Sequence, residues 1–103
     1  MKIPTKFKVY DSEVKVILSP DLIKDFQCSG QYFDSSSTIK LQTVNEVFDI
    51  YNQEISFVHE LIHCLLESIG EYKLSQNEKF VELFARVLKQ AINTMEYDNY
   101  ENN

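Results

Sequence analysis

Val58-His59-Glu60-Leu61-Ile62-His63-Cys64-Leu65-Leu66 contains both histidines of the chain, and its reading decides the fold. On an α-helix, residues i and i+4 stack on one face, so the two imidazoles converge on one point. Glu60 is rotated about 100° from His59. It can therefore reach a water held at that point without ligating the same ion. Apolar residues recur around the motif at helical spacing: Val44, Val47, Phe48, Tyr51, Ile55, Val58, Ile62, Leu65, Leu66 and Ile69. The pattern predicts one long helix over 44–69, opened by a Thr43/Glu46 capping box and closed at Gly70. Both histidines fall at the border of the apolar stripe, where a site between this helix and a neighbour belongs.

Downstream, Ser75 and Glu78 read as the capping box of a second helix. Its apolar positions are Phe80, Val81, Phe84, Ala85, Val87, Leu88, Ala91, Ile92 and Met95, with Phe80, Phe84 and Met95 assigned to the core. Upstream, the period changes from helical to two. Lys6 to Tyr10 alternates, and so do Val14, Val16 and Leu18, which reads as a hairpin about Asp11-Ser12. Ser19-Pro20-Asp21 opens a short helix through Leu22, Ile23 and Phe26. Gln31 to Phe33 and Thr38 to Gln42 are two further strands, separated by the turn Asp34-Ser35-Ser36-Ser37. In the last strand Ile39 and Leu41 are expected inward, and Thr38, Lys40 and Gln42 outward. The expectation is one α+β domain over 1–97, with a frayed polar tail over 98–103. A small antiparallel sheet packs on the long helix, and a second helix lies behind.

Length and composition agree with one small domain. The chain has 103 residues, is 44% hydrophobic and 25% charged, and contains two Gly, two Pro and two Cys. Its net charge of −6 argues against a nucleic-acid partner, since phosphate contacts need clustered Lys and Arg. No run of about 18 apolar residues is present to span a membrane. No apolar stretch follows the Met1 region as a secretory signal would require. The reading is therefore cytoplasmic, with Cys28 and Cys64 reduced.

The His pair points to metal chemistry. Catalytic zinc takes three protein ligands and keeps a fourth position for water or substrate. No third histidine exists. Leu66 and Ile69 stand where a metzincin carries Gly and His, which excludes that class. Glu67 lies about 12 Å along the axis from His59, too far to share the ion. Cys64 points about 100° away from His63. The second helix offers Glu78 and Glu82, four apart on one face. Either can ligate while the other holds an imidazole N–H.

Asn77-Glu78-Lys79-Phe80-Val81-Glu82 resembles the Asn-Glu-x-x-x-Asp signature of the gluzincins, HExxH peptidases with a glutamate third ligand. The resemblance implies Glu78 as ligand and Glu82 as partner of a ligating histidine. Glu in place of Asp at position 82 leaves the two roles exchangeable. More specifically, His59 to His63 and Asn77 to Arg86 resemble the short phage- and prophage-encoded zincin-like metallopeptidases. In these a small sheet precedes an HELIH-type helix and a second helix of the form NExFVExFAR. A more distant likeness is to the ImmA/IrrE type, peptidases that act on repressors. The fold expected is a minimal zincin-like domain. The function expected is hydrolysis of a protein or peptide substrate, with Zn²⁺ on His59, His63 and Glu78 and with Glu60 as general base. The substrate would extend along Thr38–Gln42 as an exposed edge strand, and Tyr72 is a candidate donor to the oxyanion. The rival expectation is a non-catalytic scaffold that binds a host or phage protein.

Overall fold

The computed structural model of the chain describes residues 1–98. The elements run β1 (Lys6–Val9), β2 (Ser12–Ser19), α1 (Leu22–Phe26), β3 (Gly30–Phe33), β4 (Thr38–Gln42), α2 (Ile50–Ser68), α3 (Tyr72–Ser75) and α4 (Glu78–Thr94). The class is α+β, as expected. The sheet is mixed rather than antiparallel, with strand order β1-β2-β4-β3. β1 pairs antiparallel with β2, Phe7 opposite Val14. β2 pairs parallel with β4, Val16 beside Ile39. The parallel step arises because α1 carries the chain across before β3 and β4 form, so β2 and β4 run the same way.

Alternation in the strands selects the core face. Val14, Val16, Ile39 and Leu41 are buried there and pack against Phe57, Val58 and Ile62 of α2. Phe7 meets the Phe57 ring edge-on at 6.3 Å between centroids. Val81 and Ala85, both 0% exposed, bring α4 onto the same core. Leu18 does not follow the alternation and is exposed.

Four local expectations give way to competing hydrogen bonds or to packing. The long helix begins at Ile50, not at Val44. Asn45 Oδ1 accepts from the Val47 and Phe48 N–H groups, both at 2.9 Å, which holds 45–48 in a side-chain-closed turn. Asp49 then caps α2 by accepting from Asn52 N–H at 2.8 Å, so Thr43 and Glu46 form no capping box. The last helix is capped by Asn77, whose Oδ1 accepts from Phe80 N–H at 3.0 Å. Ser75 belongs instead to α3, a single turn, and is buried. Ser19 ends β2 rather than capping α1, which Asp21 precedes without a side-chain cap.

β4 lies between β2 and β3, so Thr38–Gln42 has no open edge; the edge next to α2 is β3. Thr38 and Gln42 are buried rather than outward. Gln42 closes the β2–α1 connection: its amide donates to Pro20 O at 2.7 Å and accepts from Ile23 N–H at 2.8 Å. Not all of the helical stripes is core. Val44, Val47, Tyr51, Leu65 and Ile69 are exposed, and so are Phe84, Val87 and Met95. No helix among the described residues is long and apolar enough to cross a membrane. The expected tail at 98–103 falls, from residue 99 on, outside the described residues.

Candidate metal centre

His59 and His63 sit on consecutive turns of α2, and α4 begins opposite them at Glu78. The helical spacing brings His59 Nε2 to 3.2 Å from His63 Nε2. Glu78 reaches across from the first turn of α4, with Oε2 3.3 Å from His59 Nε2 and Oε1 3.3 Å from His63 Nε2. These donor atoms lie within 4.8 Å of one another, and the group can hold a metal ion. Two bare ring nitrogens at this separation repel unless a proton or a cation lies between them. An ion at their focus answers that repulsion and the Glu78 charge together.

The outer nitrogens are held in different ways. His59 Nδ1 faces Glu82 Oε2 at 3.2 Å, while Glu82 Oε1 accepts from Arg86 Nε at 2.9 Å and from Arg86 Nη2 at 2.6 Å. Both Glu82 oxygens are thus engaged, on the side of the imidazole away from Glu78. Of the two glutamates left open by the sequence, Glu78 stands with both Nε2 atoms and Glu82 behind His59, at its Nδ1. His63 Nδ1 faces Ser75 Oγ at 2.9 Å, and Ser75 donates on to Glu67 Oε2 at 2.9 Å. Ser75 and Glu67 were not expected here. Ser75 reads as a helix cap, and Glu67 is too far along α2 to ligate. Only the fold of 69–75, with Gly70 at φ +82°, brings them together. Burial holds His63 below the ordinary imidazole range, which keeps it neutral and able to ligate at pH 7.

Glu60 lies on the adjacent face of α2, against β3. The register turns the backbone groups of Gln31 and Phe33 toward β4 and those of Gly30 and Tyr32 toward the open edge. The Tyr32 backbone on that edge lies close enough to the Glu60 carboxylate to favour its charged form. Gly30 lies at the point of closest approach: a Cβ there would lie 3.0 Å from Glu60 Cγ and 3.4 Å from its Oε2, so the neighbours would have to give way. Burial, followed by the nearby Glu78 charge, raises the Glu60 carboxyl to about 7; His59 and the Tyr32 backbone oppose that rise. A carboxyl poised near neutrality is suited to exchanging protons.

A cleft of about 690 Å³ runs between β3 and α2 and opens onto this group. Its walls include Gln27, Ser29, Phe48, Asn52, Ile55 and Ser56, neutral polar and apolar side chains. Cys28 also lines it, whereas Cys64 is buried and faces away from the cleft. Tyr72 is exposed on α3 and is not part of the wall. Tyr32 is the one tyrosine among the described lining residues, and burial, with Cys64 beside it, pushes its hydroxyl well above the ordinary phenol range. Compared with protein-family models, curated proteins and solved structures, the chain matches none.

Proposed function

We propose that the chain is a zinc-dependent metallopeptidase. One observation carries this reading: His59, His63 and Glu78 face one another at 3.2–3.3 Å, with Glu60 beside them in the same cleft. A tetrahedral zinc with bonds of about 2.0–2.1 Å needs ligand atoms roughly 3.3–3.4 Å apart. The two Nε2 atoms, 3.2 Å apart, stand close to that spacing, and the Glu78 carboxylate meets it with a different oxygen toward each imidazole. The two-nitrogen, one-carboxylate set is a donor set of catalytic zinc sites, which leave one position open. A zinc ion held there supplies Lewis-acid polarisation of a carbonyl and a lowered pKa for water.

The chain's own groups do the rest. Glu60 takes a proton from the attacking water and passes it to the leaving amine. Glu82 and Ser75 hold the two imidazoles with Nε2 directed at the focus. A peptide is expected to lie along the open edge of β3, by strand addition.

Glu60→Gln tests the enzyme reading. The variant keeps shape but accepts no proton, so zinc affinity is retained and turnover falls by at least about 10²-fold. Comparative proteomics of cells expressing either form supplies a readout without a known substrate. Protein fragments that appear only with the wild type support hydrolysis. Identical proteomes, with identical cellular effects, overturn it. One observation favours a second reading, a binding scaffold without turnover: Tyr32 is the one tyrosine among the described residues of the cleft wall, and it lies beside the buried Cys64. That reading predicts equal partner capture by wild type and Glu60→Gln.

A further inference from the structure

We propose that Ser75 and Glu67 form a positioning relay that fixes the tautomer of His63, and that the α3 turn serves to deliver Ser75 to this place. The proposal rests on the metal reading above for its purpose, but not for its geometry. Ser75 is 4% exposed, so its hydroxyl must find partners within the protein. It has one hydrogen, and that hydrogen goes to Glu67 Oε2 at 2.9 Å. Toward His63 Nδ1, at 2.9 Å, the oxygen is left to accept. Nδ1 must then carry the proton, and neutral imidazole has only one. Nε2 is thereby bare and aimed at His59 Nε2 and Glu78.

The direction Nδ1–H to Oγ–H to carboxylate is set at its far end. Without an acceptor at Glu67, the Ser75 hydroxyl is free to donate to Nδ1. The proton would then belong on Nε2, where it blocks ligation. His59 Nδ1 faces a carboxylate, Glu82, directly. His63 reaches one through a hydroxyl because Glu67 is one turn further along its own helix, and the Ser75 hydroxyl bridges the gap. Ser75 and Glu67 touch neither ion nor substrate; they act through His63.

The test reads the tautomer in the metal-free protein, so it is independent of whether zinc binds. Imidazole ¹⁵N shifts at pH 8 are expected to show His63 as the Nδ1–H form in the wild type. Ser75→Ala and Glu67→Ala are expected to move it toward Nε2–H. Glu67→Gln keeps an acceptor oxygen and is expected to leave it in place. Zinc affinity should follow, falling about 10–100-fold in both alanine variants and recovering in Glu67→Gln. Glu67 is only partly buried, so its variants report even where Ser75→Ala fails to fold. An Nε2–H His63 in the wild type, or one unmoved in Glu67→Ala, overturns the relay. A wild type with the expected tautomer and no zinc binding would leave the relay standing and remove the metal reading instead.

Discussion

Replacing Glu78 by Gln separates a metal ligand from a folding residue with little ambiguity. The side chain is 67% exposed, and Asn77, not Ser75 with Glu78, caps α4. Removing its charge therefore costs the apoprotein little, within about 0.5 kcal/mol for such a surface change. Its carboxylate is nonetheless the one anionic donor in the proposed set. Losing a group that merely orients a ligand costs about 10–100-fold in affinity, so losing a ligand should exceed about 100-fold. At free zinc 100 times the wild-type Kd, binding stabilises the fold by about 2.7 kcal/mol. For a domain of this size each kcal/mol moves Tm by about 4–8 °C, so the wild type should gain about 11–22 °C. At the same zinc concentration Glu78→Gln sits at or below its own Kd. Its gain is then about 0.4 kcal/mol or less, about 3 °C at most. Glu82→Gln loses the His59 contact and the Arg86 pair but no donor atom, and should fall between the two. Thermal scans with and without zinc, supported by calorimetric titration, read all three. A Glu78→Gln protein with the full wild-type shift would refute the assignment. A larger loss in Glu82→Gln would exchange the two roles.

Other outcomes follow from single contacts. Gly30→Ala places a Cβ 3.0 Å from Glu60 Cγ and 3.3 Å from Leu41 Cδ2. The overpacking, about 1–3 kcal/mol, outweighs the ~0.4–1 kcal/mol gained from a stiffer unfolded chain, so Tm should fall while zinc affinity holds. An unchanged or raised Tm would show that Glu60 does not pack on β3. Glu54 has its carboxyl held below the usual range, chiefly by a hydrogen bond from the N-terminal ammonium at 2.9 Å, with Asn93 also donating. A depressed carboxylate contributes stability above its unfolded pKa and loses it as pH falls through the folded value. Denaturant titrations from pH 6 to 3 should therefore show a steeper acid loss in the wild type than in Glu54→Gln, and parallel curves would refute the pairing.

Helical and strand periodicity is legible in the sequence; the helix starts, where neighbouring polar side chains compete for the same N–H groups, and the pairings made by distant chain are not. The pairing of His59 with His63 follows from helical geometry alone, and the alternation of Val14 with Val16 and of Ile39 with Leu41 marks the buried face of the sheet. Thr38–Gln42 was readable as a strand, but its central place was not. That place depends on β2 pairing with it in parallel across α1, a non-local choice. The start of α2 was misplaced because the Asn45 side chain outcompetes the helix for the Val47 and Phe48 N–H groups. Glu78 and Glu82 stand on one helical face and cannot be ranked there. The approach of α4 to α2 ranks them, by setting Glu78 against both Nε2 atoms and Glu82 against a single Nδ1. Ser75 imitates a cap in sequence and becomes buried support for His63 only in three dimensions.

X-ray absorption at the zinc edge of the purified, zinc-loaded protein examines the proposed donor set itself. The account predicts one zinc per chain, four-coordinate, with nitrogen and oxygen neighbours at about 2.0–2.1 Å, two of them imidazoles, and no sulfur. A sulfur neighbour at about 2.3 Å would bring in Cys28 or Cys64, and less than one equivalent of zinc at neutral pH would remove the metal; either result contradicts it.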